Sequence, residues 1–126
     1  VTGGIQQEGI DACAERIVPT WFVEGKAAPF YDLCFEAGRG VTAAAADKAL
    51  TALGKWNVGA RLGELQMPTL VICGDRDRSI SLDQAVALSQ GIKSSRLCIA
   101  PGCAHNVHLE RPEFFAQTVR EFLLGQ

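Results

Sequence analysis

The sequence predicts an α/β fold: a helical segment over residues 1–66, followed by a parallel βαβα unit over residues 67–126. Three observations lead there. Composition changes at Met67, from an Ala-rich stretch to alternating apolar runs and amphipathic segments. Residues 69–73 form a continuous apolar run of β-favouring type, the pattern of a strand buried on both faces of a parallel sheet, and residues 96–100 read as a second short apolar strand. The segments between and after them carry apolar residues three and four apart, which is the period of one helix face.

In chain order, residues 8–22 place Ile10, Cys13, Ala14, Ile17, Val18 and Trp21 at helical spacing, and Pro19 sets an end or a kink. Pro29 is expected to open a second helix at its first turn, with Phe30, Leu33 and Cys34 facing inward and Gly38 ending it. Thr42 is placed to cap a third, running through Ala46, Ala49, Leu50 and Leu53 to Gly54. Three short amphipathic helices do not bury their stripes alone and call for a partner surface. After Pro68 comes the first strand, closed by Gly74. Ser81 and Gln84 then form a capping box before a helix with Leu82, Ala85, Val86 and Leu88 on its apolar face. The second strand closes at Pro101-Gly102, and Pro112 starts a last helix with Phe115, Val119 and Phe122 on a core-facing side. Parallel sheets occur almost only as larger, doubly covered sheets, so the first strand is expected to lack at least one neighbour.

At 126 residues, 48% apolar and 21% charged, the chain has the balance of one globular domain. A net charge of −2 without a Lys/Arg cluster gives no electrostatic footprint for nucleic acid or an anionic membrane, and small molecules are the expected partners. No apolar run reaches the roughly 20 residues of a spanning helix. The five cysteines, Cys13, Cys34, Cys73, Cys98 and Cys103, are odd in number and set among apolar residues, which reads as reduced packing residues and a cytoplasmic location. No C-x-x-C pair supports a metal site. The opening residues, from Val1, show neither a targeting signature nor a first element, and the expectation is that upstream sequence has been removed.

Chemistry concentrates where the strands end. Gly74-Asp75-Arg76-Asp77 and Pro101-Gly102-Cys103-Ala104-His105 put an acid and an imidazole beyond the carboxyl edges of neighbouring parallel strands, where open α/β sheets build their sites. Strands about 4.8 Å apart bring a carboxylate within reach of a ring nitrogen across such loops. Asp77 or Asp75 with His105 thus suits an acid–base dyad. His108 reads as a surface or helix-entry residue. Cys103 reads as a small packing residue, because it lacks the elbow a nucleophile needs. Trp21 and Trp56 read as core or as contacts between the two segments, and Arg76, Arg78 and Glu110 as weak surface ion pairs.

Residues 67–77 resemble the strand-and-acid segment of the α/β-hydrolase family, and residues 102–105 with 109–115 and Phe122-Leu123 are similar to its histidine loop and closing helix. The resemblance implies a partial α/β-hydrolase fold, with Asp77 as triad acid, His105 as base, Asp75 as the less favoured acid, and no metal or organic cofactor. It also implies that residues 1–66 are cap-like and line a small-molecule pocket, a weaker match resting on Trp21-Phe22 and residues 49–65. The family's chain order puts the nucleophile ahead of the acid, in a G-x-S-x-G elbow. Every serine here falls from Ser79 onward, and neither Cys13 nor Cys34 sits in an elbow. The expectation is therefore the C-terminal portion of an ester, lactone or related hydrolase, inactive alone. The alternative is a non-enzymatic interaction or dimerisation module that self-associates through the open strand edge, or one half of a split enzyme completed by an N-terminal half.

Overall fold

The computed structural model describes Ile5 and residues 8–125. Helix α1 (Ile10–Ile17) ends where Pro19 enters the second position of a 3-10 turn, Val18–Trp21. A proline has no N–H for a helical bond and crowds the preceding turn, so the chain tightens instead of continuing. The sequence shows no element before residue 8, whereas Ile5 is helical and buried. The rest of that expectation, on residues 1–4, 6 and 7, lies outside the described residues.

Helix α2 (Tyr31–Arg39) starts two residues later than Pro29 suggests. Ala28, ahead of the proline, is extended at ψ 139°, as the pre-proline position favours. The face that packs is not the expected one: Tyr31 is the buried residue, while Leu33 is 63% exposed and Phe30 also faces outward. Helix α3 (Ala43–Lys55) begins where Thr42 Oγ1 accepts the Ala45 N–H at 3.2 Å. None of its residues is fully buried and Leu53 is exposed. Trp56, expected in a core or contact, is 67% exposed, because α3 ends at Lys55 and the following stretch has left the packed layer. A 3-10 segment, Gly59–Glu64, not foreseen from periodicity, lays Leu62 against Gly91.

Strand β1 (Thr69–Gly74) pairs in parallel with β2 (Ser95–Ala100), Thr69 opposite Ser95 and Gly74 opposite Ala100. Helix α4 (Leu82–Gly91) links them. Its capping box includes the Ser81 N–H donating to Gln84 Oε1 at 3.2 Å. A short helix α5 (Val107–Glu110) and the closing helix α6 (Pro112–Leu124) complete the unit. Among the described residues the sheet has these two strands only, so one edge of β1 carries no neighbour.

Two apolar clusters hold the parts. Ala14, Val18, Phe22, Ala28 and Tyr31 form the first, and Leu109 of α5 packs against it, which couples the helical segment to the βαβα unit. Ala100, Cys103 and Val107 form the second, under Ile72, Phe114 and Phe115. The phenylalanines of α6 are half-buried rather than core, because the face they share opens on the side with Leu123 and Leu124. None of the described helices is long and apolar enough to cross a membrane.

Candidate active site

The register places Gly74 and Ala100 side by side, and the two following loops cross there. Asp75 N–H donates to the Ala100 carbonyl at 3.1 Å and Arg76 N–H to that of Cys103 at 2.8 Å. The crossing requires glycine at 74: a Cβ there would collide with the carbonyl oxygens of Cys103 and Ala104. It also requires the left-handed backbone of Gly102, φ 68°, whose N–H donates to Asp75 Oδ1 at 2.7 Å. Asp75 thus braces one loop against the other, and its carboxylate serves Gly102 rather than the imidazole.

Asp77 Oδ2 lies 2.9 Å from His105 Nδ1. The other oxygen, Oδ1, accepts the N–H groups of Ser79 at 2.7 Å and Ile80 at 3.0 Å, so the carboxylate is fixed from two sides. The Asp77 side chain is 7% exposed and the His105 ring 37%. Burial alone would push the Asp77 carboxyl up. The hydrogen bond with His105, the two backbone donors and the charge of His105 outweigh it, and the carboxyl is held below its ordinary value. An ionised carboxylate accepts only, so Nδ1 is the donor in this bond and Nε2 is the nitrogen that the carboxylate leaves free. Trp21 from the helical segment lies beside the imidazole, ring centroids 6.2 Å apart.

Polar groups expected as surface ion pairs do something else. Arg78 Nη2 donates to the carbonyls of Phe22 at 2.7 Å and Pro19 at 3.1 Å. Glu110 accepts the Val23 N–H on Oε1 and the Ala104 N–H on Oε2, both at 2.6 Å. Neither belongs to an ion pair among the described residues, because each satisfies backbone groups where two segments meet. These ties, with Asn106 N–H donating to the Trp21 carbonyl at 3.2 Å, seat residues 19–23 over both loops. Nothing in the local sequence marks Arg78 or Glu110 for this. The partners of Arg78 lie 56 and 59 residues away, and Val23 lies 87 residues from Glu110, whose other partner, Ala104, is 6 away.

Cys103 is fully buried, and burial followed by the charge of Glu110 pushes its thiol up, away from the thiolate a nucleophile needs. All five cysteines are free, with Cys13 and Cys103 buried and the other three partly so. His108 is exposed on α5 with its ring 5.9 Å from that of Phe115. Among the described residues no group of three or more His, Cys, Asp or Glu is placed to hold a metal. An open cleft of about 360 Å³ runs along β1, lined by Ile72, Cys73, Ile80 and Leu88 and ending on Asp77 and His105.

The family model described as alpha/beta hydrolase fold matches residues 35–112. A 2-hydroxy-6-oxononadienedioate/2-hydroxy-6-oxononatrienedioate hydrolase of Pseudomonas putida is 38% identical over 65 residues, 52% of this chain and 23% of the relative. A 2-hydroxy-6-oxo-6-phenylhexa-2,4-dienoate hydrolase of Comamonas testosteroni is 37% identical over 71 residues, 56% and 25% of the two chains. Among solved structures, an enol-lactonase from Burkholderia xenovorans LB400 superposes with TM-score 0.87 at 22% identity, over 98% of this chain and 48% of the other. An esterase from Exiguobacterium antarcticum gives 0.87 at 16%, over 96% and 45%. At these identities the structural likeness is one of fold. The chain spans about a quarter of the length of these curated relatives.

Proposed function

Because the chain belongs to the α/β-hydrolase fold family, we propose that Asp77 and His105 are the acid and base of a Ser-Asp-His triad whose nucleophile lies outside these 126 residues. The observation that carries this reading is the 2.9 Å contact between Asp77 and His105, with Asp77 clamped by two backbone donors. Asp77 holds the tautomer in which Nδ1 is protonated. Nε2 takes the hydroxyl proton as the serine attacks a carbonyl carbon, and the imidazolium, steadied by Asp77, returns that proton to the leaving group. The substrate class is a small carbonyl compound, an ester, lactone or related molecule. It is supported by the hydrolase, esterase and lactonase names of the relatives and structural neighbours. The helical segment acts as the cap, with Trp21 placing an apolar wall beside the imidazole.

On this reading the 126 residues alone lack the nucleophile and the oxyanion-hole donors, and do not turn over activated esters. Joined to a segment that carries a G-x-S-x-G elbow, they form an active hydrolase in which Asp77→Asn lowers kcat by on the order of 10⁴. Turnover by the purified chain alone, abolished by His105→Ala with contaminants excluded, would overturn it. The second reading is an interaction module, favoured by the uncovered edge of β1. It requires a stable self-complex of the isolated chain and no activity on joining the elbow segment.

A further inference from the structure

We infer that Glu110 is a positioning residue, whose carboxylate sets His105 against Asp77 by holding the amides of Ala104 and Val23 at once. The Ala104 N–H belongs to the Cys103–Ala104 peptide, one residue ahead of His105, and Ala104 is fully buried, so this N–H has no solvent to turn to. Val23 follows the 3-10 turn that carries Trp21 to the imidazole. One carboxylate between these two donors fixes the distance from the helical segment to the histidine loop. The donors approach different oxygens, each at 2.6 Å, in the short range of charge-assisted hydrogen bonds. The chemistry selects a carboxylate over an amide. Two N–H groups need two acceptors, and a glutamine would turn an NH₂ toward one of them. Glu110 is itself anchored, its N–H donating to the Asn106 carbonyl at 2.9 Å and its neighbour Leu109 packing on the core of the helical segment. Among the described residues no basic side chain forms an ion pair with it, so the backbone amides are its partners.

The inference rests on reading Asp77 and His105 as a working dyad, but its content is the geometry of their hydrogen bond, which can be read without turnover. The test is nuclear magnetic resonance of the 126-residue chain with ¹⁵N-labelled histidine, comparing the unsubstituted protein with Glu110→Gln and with Glu113→Gln as an exposed control. In Glu110→Gln the β1–β2 amide pattern stays, while the His105 Nδ1 proton exchanges with water faster by roughly tenfold, the effect of weakening one charge-assisted hydrogen bond. The ring ¹⁵N shifts move toward averaged tautomers, as they do in Asp77→Asn. Glu113→Gln changes neither. Shifted Ala104 and Val23 amides with an unchanged His105 ring would overturn the inference. Should Glu110→Gln not fold, Glu110→Asp decides: it keeps the charge but shortens the reach to the amides of Ala104 and Val23, and the His105 Nδ1 proton must again exchange faster. A His105 proton that exchanges as in the unsubstituted chain overturns the inference equally. Failure of the elbow-joined protein to hydrolyse esters would count against the triad reading and leave these signals unaffected.

Discussion

Asp77 accepts three hydrogen bonds in a nearly solvent-free position, and its stabilising effect follows the charge that makes them. A carboxyl held below its ordinary value in the folded state contributes stability that is full above the unfolded value and lost as pH falls through the folded one. Asp77→Asn is therefore expected to be less stable than the unsubstituted chain by about 1–3 kcal/mol at neutral pH, with the gap closing in acid. Urea unfolding across a pH series measures this. A gap independent of pH would mean that the carboxylate charge is not what holds the loop. That an acid would follow Gly74 near an imidazole was legible in the sequence, although Asp75 and Asp77 both qualified and only the resemblance to a known family favoured Asp77. The roles of Arg78 and Glu110 were not, because a side chain that satisfies backbone donors or acceptors more than fifty residues away leaves no periodic or motif signal.

Elements put these residues in reach of one another. Both loops leave neighbouring strand ends, and Gly74 lets them touch. Gly74→Ala is expected to force the Cys103–Ala104 backbone aside, costing about 1–3 kcal/mol and breaking the Arg76 N–H to Cys103 bond. Chemical denaturation measures the loss, and amide exchange at Arg76 locates it. Exchange at Arg76 as slow as in the unsubstituted chain would show that the loops absorb a methyl group. At the start of α3, Thr42→Ala removes the acceptor of the Ala45 N–H and is expected to cost about 1 kcal/mol or less, since the helix end is exposed. A change above 2 kcal/mol would show that α3 carries more of the fold than its exposed residues suggest. Helix α2 shows the limit of periodicity. Pro29 marked its neighbourhood correctly, yet the face that packs against the other helices buries Tyr31 and leaves Leu33 outward.

The molecule as described is a two-stranded parallel sheet with helices, and it leaves Leu123, Leu124 and one edge of β1 uncovered. Such sheets are stable when larger and covered. The isolated chain is accordingly expected to show an apparent Tm that rises with protein concentration, as association that favours the folded state does by mass action. Thermal scans over a hundredfold range, with light scattering, measure this. A monomer with a fixed Tm would show the edge to be self-sufficient and would remove the main support for an interaction module.

Sequence by itself determined the βαβα order, the strand ends, the helix caps at Thr42 and Ser81, and the presence of Asp77 and His105 on adjoining loops. All of these follow from local spacing or from turn and capping chemistry, in which cause and effect lie within a few residues. Tertiary structure decided which carboxylate meets the imidazole: Asp77 faces His105, while Asp75 is drawn to the left-handed Gly102. It also decided that Trp56 lies in solvent, that Trp21 stands beside the imidazole, and that Glu110 ties the histidine loop to the helical segment. These depend on the packing angle between segments distant in the chain. That angle comes from the fit of whole surfaces, and no single stretch of sequence contains it.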